Sequence, residues 1–209
     1  MRKLVVGTFL SLDGVMQAPG GPDEDTEGGF THGGWTVPLF DEQLGEIMGE
    51  LVARAGGLVL GRKTYEGFAA SWPLLGDEDP IAAVLNRIPK YVASRTLTAL
   101  EWQNSTLLTG DVAEAVGKLK QEPGGELQVS GSGELIQTLL KHDLVDGFTL
   151  IVFPVLVGPG KRMFADGTIP AELRLVDSTT TATGVVVSRY ERVGELRHGA
   201  VGPEYEGPE

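Results

Sequence analysis

The stretch Gly57-Leu-Val-Leu-Gly-Arg-Lys-Thr-Tyr-Glu-Gly-Phe68 decides the fold class. Its first half, Gly57 to Gly61, is a short apolar run that reads as a buried strand. From Arg62 onward the composition turns polar and can open a helix at once. A buried strand passing directly into a helix is half of a β-α-β unit.

The same alternation continues on both sides. Lys3 to Leu12 is apolar, rich in β-branched residues, and ends at the turn pair Asp13-Gly14. Pro38 to Arg54 is expected to be a helix with proline in its first turn. Its apolar stripe would be Phe40, Leu44, Ile47, Met48 and Leu51, with Glu42, Glu46 and Glu50 opposite. Strands are expected over Lys90–Arg95, Ser105–Leu108, Glu126–Ser130 and Gly147–Leu156. Helices are expected over Asp111–Gln121, capped by Asp111, and from Gly131-Ser-Gly133 through Leu135, Ile136, Leu139 and Leu140. Leu173–Thr181 and Val185–Glu191 alternate around Gly184 and read as a hairpin. The expectation is one α/β domain over residues 1–193. It has a mostly parallel central sheet, helices on both faces and a C-terminal antiparallel hairpin. Residues 194–209, rich in Gly, Pro and Glu, are expected to form a flexible tail.

Composition narrows the function. The 209 residues include 30 Gly and no Cys, with 17 basic against 29 acidic side chains, for a net charge of −12. Without cysteine there is no disulfide, thiolate metal site or thiol nucleophile. The acidic balance opposes the phosphate attraction on which nucleic-acid binding rests, so no nucleic-acid partner is expected. No apolar run approaches the ~20 residues that span a bilayer, and no targeting segment is visible, so a cytoplasmic protein is expected. The charge is uneven. Residues 1–50 carry 2 basic and 9 acidic side chains, whereas residues 51–100 carry 6 and 4. That one net-positive quarter is where an anionic ligand would sit. The run Asp23-Glu24-Asp25 fits either a metal site or a solvated loop. His32, His142 and His198 lack metal spacing, and no metal is assigned.

Ligands of open α/β sheets bind at the carboxyl ends of the strands. Three such ends here share one chemistry. Gly61-Arg62-Lys63-Thr64 offers cations, a hydroxyl and a helix start. Ser94-Arg95 offers a hydroxyl and a guanidinium. Gly131-Ser132-Gly133 offers backbone amides at another helix start. Helix N-termini with glycine-permitted approach seat phosphates, and arginine adds bidentate recognition. Neither a Walker A sequence nor a full dinucleotide fingerprint is present.

The ordered set Ser11-Leu-Asp-Gly14, Gly61-Arg-Lys-Thr-Tyr-Glu66, Ser94-Arg95, Gly131-Ser-Gly133 and Phe153-Pro-Val-Leu-Val-Gly-Pro-Gly160 resembles the dihydrofolate reductase-like superfamily. The resemblance is nearest to stand-alone proteins similar to the reductase domain of the riboflavin-biosynthesis deaminase-reductase, and covers about residues 3–193. It implies a dihydrofolate reductase-like fold, NADPH as cofactor and hydride transfer to a small heterocyclic, pterin- or pyrimidine-like substrate. By the same resemblance, Gly61, Arg62 and Thr64 meet cofactor phosphates and Ser94 and Arg95 the adenosine 2′-phosphate. Gly131, Ser132, Gly133 and Glu134 follow the pyrophosphate, and Asp13 and Gly14 approach the nicotinamide. It also implies a homodimer. The zinc-binding deaminase half has no counterpart here.

Few conventional catalytic side chains are expected of a hydride-transfer enzyme, whose protein binds, orients and excludes water. Asp41 is the nearest acid to the position that engages a pterin ring in the superfamily, and also suits the start of a helix. The 13–38 loop is a candidate cover for the nicotinamide. Trp35 is placed either to stack on a flat substrate or to anchor that loop, and Phe153 is carried with it as a substrate-side residue. No Lys or Arg occurs between Lys3 and Arg54, which favours an uncharged or weakly charged substrate over a sugar phosphate unless Lys161-Arg162 supplies a cation. Two other readings stay open: a non-catalytic NADPH-binding or regulatory module, and an interaction protein docking through the acidic loop.

Overall fold

The computed structural model describes residues 1–76, 78–164 and 168–201. Half of the expected tail, residues 202–209, lies outside the described residues. Among the described residues eight strands form one sheet: β1 (Leu4–Ser11), β2 (Ala55–Gly61), β3 (Lys90–Ala93), β4 (Ser105–Leu108), β5 (Glu126–Ser130), β6 (Gly147–Phe153), β7 (Glu172–Thr180) and β8 (Val186–Gly194). Their spatial order is β4-β3-β2-β5-β1-β6-β8-β7. The first six are mutually parallel, while β8 runs antiparallel to both β6 and β7. Among the described residues five α-helices join them: α1 (Glu42–Ala53), α2 (Arg62–Leu75), α3 (Pro80–Arg87), α4 (Val112–Gln121) and α5 (Gly133–Lys141).

Strand alternation puts one set of side chains on each face of the sheet. Leu4, Val6 and Leu10 of β1 meet Val116 and Leu119 of α4 and Ile136 and Leu139 of α5. On the opposite face, Leu58, Leu60 and Val92 pack with Tyr65 of α2, Leu85 of α3 and Trp102. Leu44 of α1 reaches Ile151, Phe153 and Val187. No helix among the described residues is long and apolar enough to cross a membrane.

Two expectations need correction. The helix expected from Pro38 begins four residues later. A single 3-10 turn covers Val37–Leu39, Phe40 breaks it with an extended backbone, and Asp41 caps α1 by accepting the Leu44 amide at 2.8 Å. The side-chain cap prevails over the proline preference, because it satisfies an amide that the helix start otherwise orphans. Phe40 therefore leaves the apolar stripe and is exposed. Helix α3 is additional, although Asp79-Pro80 signals it: Asp79 accepts the amides of Ile81 and Ala82, and Pro80 fills the first turn.

Candidate functional site

A cleft of ≈ 2440 Å³ opens at the carboxyl ends of β2, β3, β4 and β5 and continues along the β1–β6–β8 face beside α1. It exceeds the ~300–1,000 Å³ of a single small-ligand pocket and leaves room for two molecules end to end.

The phosphate-favouring end is built from two strand-to-helix turns locked together. Ser132 adopts a left-handed backbone (φ 62, ψ 54) after Gly131 (φ 55). This turns its hydroxyl toward the other turn, where it accepts the Gly61 amide at 2.9 Å and donates to Thr64 Oγ1 at 2.8 Å. Ser130 O is a second acceptor at 3.2 Å. A Cβ on Gly61 would stand 3.1 Å from that hydroxyl oxygen, and one on Gly131 3.2 Å from Thr64 Oγ1. The glycines are there because the two turns touch. Thr64 accepts from Ser132 and keeps its own O–H to donate.

Helix starts leave orphan amides. In α1, α3 and α4 an aspartate closes them: Asp41, Asp79 and Asp111. Neither α2 nor α5 has a side-chain cap bond. These two starts line the cleft, and their outward amides and positive dipole ends favour an anion. Arg62, exposed, pairs with Glu66 one turn on, at 3.0 Å. Ser94 accepts the amides of Thr96 and Leu97 and so shapes the turn that presents Arg95. Among the described residues Arg95 makes no ion pair or hydrogen bond. Glu134 is exposed in the first turn of α5.

Gly61, Arg62, Thr64, Ser94, Arg95, Gly131, Ser132, Gly133 and Glu134 thus come together along one wall. Other expected residues do not. Asp13 and Gly14 lie outside the lining, which begins at Met16 on that loop. The Ser11 hydroxyl and the amides of Val157 and Gly158 hold the Asp13 carboxylate and keep its pKa far below the usual range. Phe153 is fully buried, with Phe9 and Trp35 packed edge-on at 5.6 and 5.5 Å. Trp35 donates its indole N–H to Gln17 O at 2.9 Å. Both rings anchor the loop to the core rather than offering a substrate face. Asp41 is committed to the Leu44 amide and to the Thr183 hydroxyl at 3.2 Å, which lowers its pKa, the Leu44 amide contributing most.

The other end of the cleft has a hollow floor. Gly7 lies mid-strand in β1, in register with Ser130 on one side and Thr149 on the other. A Cβ there would meet nothing within 4 Å. Met48 and Leu51 of α1 and Phe9 stand around this floor, and Gln128 donates to Leu51 O at 2.8 Å. Sequence reading missed Gly7; its signal was a glycine inside a strand. It also missed Gln17 and Glu27, and that Asp25 and Glu27 join Lys63 to Lys161 at the cleft mouth. Lys161-Arg162 do reach the cleft, but Lys161 is already ion-paired. Among the described residues no group of acids and histidines is arranged to hold a metal ion.

The family model for the RibD C-terminal domain matches residues 2–187. Two curated Bacillus subtilis (strain 168) proteins align across most of their length. The uncharacterized protein YyaP is 28% identical over 192 residues, covering 88% of this chain and 92% of its own. The uncharacterized protein YwjB is 25% identical over 177 residues, covering 83% and 89%. Among solved structures, a provisionally assigned riboflavin biosynthesis protein from Shewanella sp. PV-4 superposes with a TM-score of 0.64 at 23% identity, covering 91% of this chain and 99% of that one. A pyrimidine reductase-like protein from Corynebacterium diphtheriae gives 0.60 at 13%, covering 93% of both. Dihydrofolate reductase from Enterococcus faecalis, complexed with NADP(H) and RAB-propyl, gives 0.56 at 14%, covering 91% and 96%. The fold is dihydrofolate reductase-like.

Proposed function

The chain belongs to the RibD C-terminal domain family, and from that premise we propose that it is an NADPH-dependent reductase. It would pass a hydride to a small, flat heterocycle of pterin or pyrimidine type. One observation carries the cofactor half of this reading. Two helix starts without side-chain caps converge on one cleft with Arg95, which is unpaired among the described residues. That donor set fits a dinucleotide bearing a 2′-phosphate: amides and the Thr64 hydroxyl for the diphosphate, the Arg95 fork for the extra phosphate. The close approach at Gly61 and Gly131 supports the fit, since side chains there would push the two turns apart.

When bound, NADPH would supply the hydride. The chain's own task is to bind, orient and keep water out. Ser132 and Thr64 hold the two helix starts in fixed relation. The Gly7 floor, flanked by Ser130 and Thr149, is where a flat substrate would lie beneath α1. Trp35 and Phe153 support the loop from behind. A homodimer is carried with this reading from the family resemblance, and cytoplasmic residence from the sequence expectation.

The test is NADPH oxidation, followed by nicotinamide absorbance, across a panel of pterins, pyrimidines and carbonyl compounds. Oxidation with a heterocycle supports the reductase. Tight NADPH binding with no oxidation across the panel is the outcome expected of a non-catalytic module.

A further inference from the structure

Four charged side chains from three segments meet at the mouth of the cleft. Lys63 comes from the first turn of α2, Asp25 and Glu27 from the long loop after β1, and Lys161 from the loop after β6. Lys63 Nζ lies 2.7 Å from Glu27 Oε2 and 3.6 Å from Asp25 Oδ1. Lys161 Nζ touches both carboxylates. Beneath them the buried Gln17 fixes the backbone. Its Nε2 donates to Asp25 O and Glu27 O at 3.0 Å, and its Oε1 accepts the Lys161 amide at 3.0 Å. The acids are therefore held over the lysines by main-chain geometry. Hydrogen bonds from Lys161 and Lys63 hold the Glu27 carboxyl down to about 2, so it stays ionised through the neutral range.

This cluster is poorly suited to stabilising the fold. The side chains of Lys63, Glu27 and Lys161 are 53%, 61% and 42% exposed. Ion pairs in that setting contribute little to stability, because water screens them. It is, however, suited to exchange. One cation in the first turn of the uncapped α2 helix and one on the loop after β6 are held by two carboxylates on a third segment. A phosphate-bearing ligand would bring more negative charge and would also use the α2 amides.

We propose that Lys63 and Lys161 form an anion seat, and that Asp25 and Glu27 are its built-in competitor. An incoming phosphate group replaces the two carboxylates and releases the Asp25–Glu27 segment from the cleft mouth. The identification of that phosphate group with the cofactor's rests on the NADPH reading above; the exchange itself requires only an anion. A competitor that holds the seat about nine-tenths of the time weakens apparent affinity about tenfold.

The experiment titrates the full chain with inorganic pyrophosphate and, separately, with NADPH. It compares wild type, Asp25→Asn/Glu27→Gln, the charge-matched Asp23→Asn/Glu24→Gln on the same loop, and Asp25→Asn/Glu27→Gln/Lys161→Met. Asp23 and Glu24 make no ion pair among the described residues. The expected result is pyrophosphate binding about tenfold tighter in Asp25→Asn/Glu27→Gln than in the charge-matched variant, with the gain lost when Lys161→Met is added. Equal tightening in the two charge-neutralised variants would reduce the effect to the general field of the loop and overturn the proposal. Retention of the gain without Lys161 would overturn it as well. The NADPH arm separates the two readings. Pyrophosphate behaving as expected while NADPH fails to bind would leave the exchange standing and remove the cofactor assignment. NADPH binding with no difference between the variants would do the reverse.

Discussion

The hydroxyl oxygen of Ser132 accepts the amide N–H of Gly61 at 2.9 Å, joining two turns that lie 71 positions apart in the chain. The same hydroxyl donates to Thr64 Oγ1, so one side chain fixes the spacing of the two helix starts that face the cleft. Ser132→Ala removes both bonds and is expected to cost about 1–2 kcal/mol in denaturant unfolding. NADPH affinity should fall with it, because the two amide sets lose their common reference. Unchanged affinity in a folded Ser132→Ala protein would show that the turns hold their spacing without the hydroxyl.

Gly7 leaves space over the central strand. Valine suits a half-buried strand, so Gly7→Val should keep or raise the melting temperature. NADPH affinity should stay within about twofold, since the phosphate end is untouched. Turnover with any heterocycle reduced by the wild type should drop by about a hundredfold or more, the cost of displacing a reacting ring. Wild-type turnover in Gly7→Val would move the substrate elsewhere.

Asp41 caps α1 and reaches the Thr183 hydroxyl. Asp41→Ala should lower stability measurably in denaturant unfolding, as loss of a helix cap does. Its carboxyl pKa is lowered, chiefly by the Leu44 amide, so its stabilisation is complete above the ordinary carboxylate pKa. That contribution is lost as pH falls through the depressed value. The stability gap between wild type and variant should therefore close in acid. The pH profile of kcat/KM should not move; a shifted acidic limb would return Asp41 to the chemistry.

Lys90 is fully buried at the start of β3. Its ammonium donates to Leu85 O and Asn86 O at 3.0 Å and stands 4.2 Å from the Trp102 ring centroid. Burial pushes its pKa down to about 8 from 10.5. Between those values the unfolded chain binds the extra proton, so stability should rise with pH across that window and level off below it. Measured as the difference between wild type and Lys90→Met, that rise should be present only in the wild type. A flat difference from pH 8 to 10.5 would mean the carbonyls and ring fully compensate the burial.

The parallel order of the sheet, the hairpin around Gly184 and the Asp111 cap were legible because periodicity and capping are local. The phosphate-favouring wall was legible for the same reason: Gly61-Arg-Lys-Thr64 and Gly131-Ser-Gly133 each carry their chemistry within four residues. What sequence could not supply was the partner across the fold. Ser132 reads as a phosphate contact until Gly61 and Thr64 are seen to engage its hydroxyl. Asp13 reads as a site residue, and Trp35 as either a stacking ring or a loop anchor, until Val157, Gly158 and Gln17 are seen to hold them. Lys63 and Lys161 lie 98 positions apart, and nothing local predicts that Asp25 and Glu27 neutralise both. The late start of α1 was a contest between two local signals, Pro38 and Asp41, and the side-chain cap prevailed.

The central claim is that the cleft binds NADPH through its phosphates, and a paired fluorescence titration of NADPH and NADH tests it most directly. Wild type should prefer NADPH, and Arg95→Ala should reduce that preference by roughly 10- to 100-fold, the value of a charge-assisted bond to phosphate. Equal affinity of the wild type for both nucleotides, or a preference that survives Arg95→Ala, would contradict the account.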